Sequence, residues 1–249
     1  MPELVTVDAR PEASVLTLTR PAKLNAISGD MERELCAALQ SPEVRDAPCV
    51  IFTGGDRVFS AGADLNEMGG LDPSSIMASY RATGDFAERV ADLPQPTLSA
   101  ISGYCLGGGL ELALATDFRI ADPSAVFGLP EVRLGILPSW GGTHRLVRLL
   151  GPARAREVIL LHDRVDALSA HRLGLVTEVV AEASALERTL ELAARLASLP
   201  PLAVSVTGEV IDAMAEASRT AGLALERIAY GMLAQTTEAE GALSGRWER

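Results

Sequence analysis

Three consecutive glycines, Gly107 to Gly109, stand directly before an apolar segment that carries one carboxylate, Glu111. Glycine has no Cβ, so such a run allows the backbone to approach another chain or a ligand closely. The composition of residues 110–116 predicts a helix, whose first N–H groups have no acceptor within the helix and carry partial positive charge. The segment therefore predicts either a site for an anion or a developing oxyanion, or simply close packing of a helix on its neighbour.

A second glycine-containing segment, Phe59–Leu65, follows a short apolar run, Cys49–Phe52, that predicts a buried strand. Its small residues would let backbone N–H groups face a ligand without obstruction, although a tight loop would also require small residues. Neither segment predicts a nucleotide site. No Gly-Lys-Ser/Thr follows the glycines, and the G-x-G-x-x-G spacing is absent.

Two carboxylates are the candidates for acid–base chemistry. Glu111 falls in the first turn of the predicted glycine-led helix, where it could equally be a favourable partner of the helix dipole. Glu131 follows an apolar stretch and Pro130, so partial loss of solvent would raise its pKa and suit proton transfer. The alternative for Glu131 is an ion pair with Arg133.

Nucleophilic and metal chemistry receive little support. Ser139 does not complete a G-x-S-x-G motif, because Leu137 occupies the first glycine position. Cys105, beside the glycines, is interpreted as a small packing residue. No metal site is predicted, since no Cys/His ligand spacing occurs and no HExxH spacing joins the three histidines, His144, His162 and His171.

The charge balance limits the class of partner. The chain has 22 basic and 33 acidic residues, a net charge of −11, which argues against nucleic acid and against an anionic membrane surface. Three scattered cysteines predict a reduced compartment. No run of about 18 apolar residues and no apolar leader segment is present, so we expect no membrane span and a cytoplasmic location.

The order of predicted elements is mixed α/β at first and helical later. The 249 residues suit a core unit over 1–199 that holds the active site and a helical region over 200–249, divided at Pro200–Pro201. Apolar and β-branched runs predict strands near 5–7, 15–18, 49–52, 97–101, 118–121 and 176–180. Capping residues and periodicity predict helices over 28–40, 72–92, 110–116, 186–197, 202–217 and 220–236, with another opening at Pro152.

Four segments together resemble the enoyl-CoA hydratase/isomerase (crotonase) family. They are RPAKLNA at 20–26, FSAGADLNEM at 59–68, GYCLGGGLELALATDFRIA at 103–121 and FGLPEVRLGILPSWGGTHRL at 127–146. The resemblance extends over about residues 4–242. It implies an α/β fold, a crotonase-like spiral of repeated β-β-α units with a helical C-terminal trimerisation region, and an acyl-CoA ligand.

The resemblance also implies roles for individual residues. Backbone N–H groups of Ala63 and Gly108 would bind the thioester oxygen, and Glu111 and Glu131 would be the catalytic pair. We expect Glu131 to deliver the α-proton and Glu111 to orient and deprotonate water. No cofactor is implied beyond the coenzyme A of the substrate, and no metal. Substrate contacts are expected at the matching motif positions, Lys23, Leu24, Ala61, Asp64, Leu65, Gly107 and Trp140.

The sequence departs from the family pattern at three places. Asn66 stands where hydratases often have a lysine near the adenine of CoA, which puts that contact in doubt. Ser139 and Trp140 stand where many hydratases have Gly-Ala, so Trp140 either shapes the acyl pocket or packs on the following helix. The longer basic tail common in the family is missing after residue 242.

The expected activity is that of an enoyl-CoA hydratase, a lyase of fatty acid and lipid metabolism, acting as a homotrimer or a dimer of trimers. Related scaffolds support double-bond isomerisation, dehalogenation, hydrolysis or retro-condensation, and a non-catalytic acyl-CoA-binding subunit is a further alternative. A serine peptidase on a related spiral fold is discounted, because no Ser-His-Asp set is apparent. Acyl chain length is not predicted.

Overall fold

The computed structural model describes residues 3–67, 72, 74, 86–162 and 164–244. Its main sheet has six strands in the order β1-β2-β3-β4-β6-β9. β1 and β2 are antiparallel and every other neighbouring pair is parallel. The strands are β1 Val5–Ala9, β2 Ser14–Leu18, β3 Val50–Thr53, β4 Thr97–Ile101, β6 Phe118–Ala121 and β9 Glu178–Val179.

A second sheet of three short strands lies beside the first, in the order β5-β7-β8. The strands are β5 Tyr104–Leu106, β7 Val126–Gly128 and β8 Val165–Asp166. The chain passes from β4 into β5, and again from β6 into β7, before it enters a helical segment. This alternation between two sheets and a helix is the repeated β-β-α unit of the expected spiral, so the predicted fold class is confirmed.

The helices cover the sheets and provide the C-terminal part. In chain order they are α1 Gly29–Ala38, α2 Pro42–Arg45, α3 Phe86–Ala91, α4 Gly108–Leu114, α5 Gly142–Arg156, α6 Ala167–Leu173, α7 Ala185–Ala197, α8 Pro201–Met214, α9 Arg219–Leu233 and α10 Thr237–Leu243. Short 3₁₀ helices occupy Pro21–Lys23 and Pro130–Leu134, and one π-helical turn occupies Glu157–Leu161. Within the described ranges, no helix is both long enough and apolar enough to span a membrane.

The central strands of the main sheet, β3 and β4, are buried on both faces, as parallel strands require. Phe52 of β3 belongs to the larger core, which extends to α1, α3 and α4. Ile51, the preceding residue, belongs to a second core closed by α7 through Ala185 and Ala193. Successive side chains of a strand point to opposite faces, so one strand contributes to both cores. This packing holds β4 and β6 in place. The chain continues from β4 to the glycine run and from β6 to Glu131.

The regular elements follow the sequence predictions closely. The strands near 5–7, 15–18, 49–52, 97–101 and 118–121 are confirmed, as are helices near 28–40, 110–116, 186–197, 202–217 and 220–236. Ser28 caps α1 by accepting from Met31 N. A helical segment also resumes at Pro152, after Gly151 interrupts α5 with φ 76°. Of the predicted helix over 72–92, the part at 73 and 75–85 lies outside the described residues, and α3 is its final portion. The division at residue 200 stays a prediction.

The elements missed from sequence are short. β5, β7 and β8 contain two or three residues each, too few to show an alternating pattern. β5 also lies within the glycine-rich segment, which sequence analysis interpreted only as the approach to a helix. α6 was missed as well.

Candidate active site

Residues 60–64 form a loop that neighbouring backbone fixes in place. Ala61 N donates to Leu24 O over 2.9 Å, and Ile27 N donates to Gly62 O over 2.8 Å. Asp64 N in turn donates to Ile27 O over 2.9 Å. The loop therefore lies beside residues 24–27, with which it forms an isolated parallel bridge.

The amide of Ala63 is the exception in this loop. Gly62 N donates to Ser60 Oγ over 3.1 Å. The amides of Ala61 and Asp64 have the acceptors given above. Among the described residues, none accepts a hydrogen bond from Ala63 N. Gly62 has φ +99°, a conformation that favours glycine. The turn at Gly62 thus leaves the Ala63 N–H available to a ligand.

The glycine run packs directly on this loop. A Cβ added to Gly62 would lie 2.9 Å from Leu106 O and 3.2 Å from Gly108 N, so the two backbones are in contact. Gly108 is the first residue of α4, and its amide also donates to no described acceptor. Two N–H groups from adjoining segments, one at a helix N-terminus, suit the stabilisation of a developing oxyanion. Both alternatives from sequence are present here, close packing and available amides.

Glu131 brings a carboxylate to the same place from the 3₁₀ helix after Pro130. A Cβ on Gly107 would lie 3.0 Å from Glu131 Oε1, so the carboxylate lies against the glycine run. Its other oxygen, Oε2, is buried and has no hydrogen-bond partner among the described residues. Burial raises the pKa of the Glu131 carboxyl, an effect that a bond from its own backbone N–H partly offsets. No ion pair joins Glu131 to Arg133.

Glu111 lies one helical turn beyond Gly107 and is buried, with 3% of its surface exposed. Its Oε1 accepts from Trp140 N over 2.7 Å and from Gly142 N over 2.9 Å. A Cβ on Gly142 would lie 2.6 Å from Glu111 Cγ, so only glycine fits against this side chain. The turn before α5 therefore positions the Glu111 carboxylate through two backbone donors.

Trp140 closes one side of the site. A Cβ on Gly108 would lie 2.1 Å from Trp140 Cζ3, which places the six-membered ring of the indole directly on Gly108. The Phe86 ring meets the indole edge-on, with centroids 4.9 Å apart at 76°. Arg145 holds the backbone of the turn by donating to Trp140 O over 2.8 Å, and its other nitrogen donates to Glu88 over 2.5 Å. The indole thus packs on α3, which precedes it in the chain, and not on the following helix as one interpretation had it. It faces the glycines, and its role in shaping the acyl pocket stays a prediction.

The Asp64 carboxylate has a structural role in this loop. Arg20 Nη1 donates to Asp64 Oδ2 over 2.6 Å, and Asn66 donates to Oδ1 through its backbone and its side chain. These bonds hold the pKa of Asp64 below its usual value, that from Arg20 having the largest effect. Asn66, at the position where hydratases often have lysine, thus forms hydrogen bonds within the loop. Substrate binding at Asp64 stays a prediction.

Replacing Asp64 by alanine is expected to destabilise the protein by about 2 kcal/mol at neutral pH, because the half-buried Arg20 guanidinium loses its partner. Since the pKa of Asp64 is lowered on folding, its stabilisation is present at neutral pH and is lost as pH falls through that pKa. Urea unfolding at pH 7 and in acid measures the loss of stability in the variant and its dependence on pH. The matched control is Asp8→Ala, which breaks the exposed pair with Arg10 and should cost under about 0.5 kcal/mol. Equal losses in the two variants would contradict the prediction.

The other predicted contacts lie around this centre. Ala61 and Gly107 lie in the two packed segments, and Lys23, Leu24 and Leu65 are exposed beside them. Leu24 is 46% exposed and Leu65 58% exposed, high values for leucine, so both present apolar surface next to the loop. The structure thus brings all eleven predicted residues to one region. Their contacts with substrate stay predictions.

The nucleophile candidates remain outside this chemistry. Cys105 is buried in β5, and burial raises the pKa of its thiol, so it stays protonated and packs as a small apolar residue. His144 and His162 are exposed, and His171 Nδ1 contacts Val176 O at 3.1 Å. The described residues contain no group of three His, Cys, Asp or Glu side chains able to hold a metal ion.

Sequence reasoning missed the residues that support the site. Asn25 is fully buried at φ 51° and donates to Gly54 O, Val58 O and Phe59 O, which fixes the start of the loop. Arg119, also buried, donates to the carbonyls of Ala113 and Thr116 and so anchors the end of α4. Asn25 lay within a recognised motif, and its tolerance of positive φ was the available signal. Arg119 had no such signal.

The sequence is similar to those of known proteins over most of its length. The sequence profile described as enoyl-CoA hydratase/isomerase matches residues 11–247. The Bacillus subtilis protein YngF is 40% identical over 238 residues, which cover 95% of this chain and 92% of YngF. The 2,3-dehydroadipyl-CoA hydratase of Escherichia coli is 37% identical over 246 residues, covering 98% of this chain and 95% of that protein.

A solved structure agrees as well. The 1.8 Å crystal structure of an enoyl-CoA hydratase from Bacillus anthracis superposes with a TM-score of 0.89 at 37% identity. The match covers 97% of this chain and 95% of that one.

Proposed function

The chain belongs to the enoyl-CoA hydratase/isomerase family, and from that membership we propose that it is an enoyl-CoA hydratase. The reaction adds water reversibly across the double bond of a trans-2-enoyl-CoA and yields a 3-hydroxyacyl-CoA. The observation that carries the proposal is that Glu111 and Glu131 both lie beside the glycine run, next to the available amides of Ala63 and Gly108. Hydration requires one proton to be taken from water and one to be given to carbon, and two carboxyl groups can perform these tasks.

The amides of Ala63 and Gly108 would bind the thioester oxygen. As water adds at the β-carbon, negative charge develops on that oxygen in an enolate, and two aimed N–H donors stabilise it. Loss of one such donor typically costs about 10²–10³ in rate. Because these donors polarise the thioester, the proposed reaction needs no metal and no cofactor beyond the coenzyme A of the substrate.

The carboxylates would divide the proton transfers. Glu111 takes a proton from water while the water oxygen bonds to the β-carbon, and Glu131 gives its proton to the α-carbon. Burial of Glu131 raises its pKa, which helps it retain that proton before the reaction. In the dehydration direction the same two transfers run in reverse, so the active enzyme carries one proton shared by the pair in both directions.

The rate is expected to follow a bell-shaped pH profile. Acid adds a second proton and removes the base, while alkali removes the shared proton and therefore the acid. Since burial raises the pKa of Glu131, the alkaline limb lies at higher pH than an exposed glutamate would give. Measurement of kcat/KM from pH 4 to pH 10 tests this, with enzyme stability recorded at each pH as a control. A profile that is flat across the range would contradict the shared-proton assignment.

The function itself is tested by the loss of enoyl-thioester absorbance with purified protein and trans-2-enoyl-CoAs. Product analysis distinguishes hydration from the alternatives, since a 3-hydroxyacyl-CoA has gained one water. A shifted double bond would indicate isomerisation, and free CoA would indicate hydrolysis. Binding of acyl-CoA without any turnover would overturn the proposal in favour of a binding subunit.

We also propose that the protein acts in the cytoplasm as a homotrimer or a dimer of trimers. The apolar surface of the C-terminal helices supports the assembly into trimers. Ile211, Ile228 and Tyr230 are 62%, 70% and 70% exposed, more than a surface in contact with water alone favours.

A further inference from the structure

We propose that Trp140 is the residue that sets acyl-chain length and that it restricts the enzyme to short-chain 2-enoyl thioesters, a refinement that rests on the proposed hydratase function. Three contacts of residue 140, two through its side chain and one through its backbone, carry the proposal. They are the indole on Gly108, the Phe86 ring against the indole, and the backbone bond from Trp140 to Glu111.

The backbone bond locates residue 140 relative to the reacting carbon. The β-carbon must meet a water held by Glu111, and Trp140 N is 2.7 Å from an oxygen of that carboxylate. The thioester oxygen must meet the Gly108 amide, and the indole lies directly on Gly108. Both ends of the reacting unit are thus next to Trp140, so carbons beyond the β-carbon enter the space beside the indole.

The indole occupies that space firmly. Its edge-on contact with Phe86 fixes the ring plane, and Phe86 is itself 1% exposed within the larger core. Arg145 fixes the backbone of the same turn from the other side, with 12% of its side chain exposed. A ring held by a buried neighbour and a fixed backbone does not rotate away without loss of packing. Trp140 is only partly buried, so part of its surface remains accessible to a short acyl group.

The test compares Trp140→Ala with the unmodified enzyme on trans-2-enoyl-CoAs of four to twelve carbons. The unmodified enzyme should prefer four carbons to ten in kcat/KM, and Trp140→Ala should raise the ten-to-four ratio by at least about tenfold. Trp140→Phe, with a smaller ring, should give an intermediate ratio. Unchanged ratios in both variants, or a preference of the unmodified enzyme for ten carbons, would overturn the proposal.

Two controls separate the possible failures. Ile51→Val removes one methylene from the second core, and it should leave the ratio unchanged while lowering stability slightly. Binding of the unreactive thioesters butyryl-CoA and decanoyl-CoA, measured by calorimetry, requires no hydration. If the unmodified protein hydrates nothing, the proposed function fails, but the chain-length proposal stands only if Trp140→Ala still shifts binding toward decanoyl-CoA. Equal shifts for both thioesters would overturn it.

Discussion

Glu131→Gln is expected to lower the hydration rate by about 10²–10⁴ while leaving acyl-CoA affinity within a few fold. Glutamine has nearly the same shape, so the contact with the glycine run is kept and the two oxyanion donors are untouched. What is lost is the proton that this buried carboxyl, with its raised pKa, would supply to the α-carbon. The measurement is kcat with a trans-2-enoyl-CoA, beside calorimetry with a saturated acyl-CoA. Retention of more than a tenth of the activity would contradict the proposed role of Glu131 as the proton donor.

The same variant offers a stability readout that separates catalysis from misfolding. Because the folded protein raises the pKa of Glu131, ionisation of this side chain opposes folding once pH rises above the unfolded pKa. Glu131→Gln should therefore be more stable than the parent at neutral pH, with the difference vanishing in acid. An inactive variant that is also less stable would indicate damage to the fold instead.

Glu111→Gln is expected to cause a second loss of about 10²–10⁴ in rate. The amide oxygen of glutamine can still accept from Trp140 N and Gly142 N, so the side chain should keep its position. The neutral amide cannot take a proton from water. Rates of the two single variants and of Glu111→Gln/Glu131→Gln complete the measurement, with Glu34→Gln, on α1, as a control for the substitution.

The double variant distinguishes a shared mechanism from two separate effects. If the pair acts as a unit, the double variant should be scarcely slower than the worse single variant. If its loss equals the product of the two single losses, the carboxylates act independently and the one-proton mechanism is wrong. A Glu34→Gln enzyme with reduced activity would show that loss of negative charge by itself slows the reaction.

The sequence alone predicted those features of the fold and the site that depend on residues close together in the chain. Ser28 predicted the start of α1, and the glycines predicted both a close backbone contact and available amides at the start of α4. Glu131 was expected to lose solvent because of its apolar flanks, and burial does raise its pKa. Each of these depends on residues close together in the chain, for which spacing is informative.

The sequence alone did not predict the contacts between segments that are far apart in the chain. Nothing near Asp64 in the sequence indicates that Arg20, 44 positions earlier, binds its carboxylate. The edge-on contact between Phe86 and Trp140 likewise joins residues 54 positions apart. The family resemblance suggested Glu111 and Glu131 as the catalytic pair, whereas the backbone donors that orient Glu111 became visible only in the folded chain.

The two bonds that orient Glu111 come from backbone amides at positions 140 and 142, and this has a consequence for how such an enzyme diverges. Position 142 must remain glycine, because a Cβ there would collide with the glutamate. Position 140 donates through its main chain and leaves its side chain free to vary. Under the proposed mechanism, related sequences can therefore change the side chain at position 140, and with it the acyl chains they accept, while the two backbone donors still hold Glu111 in place.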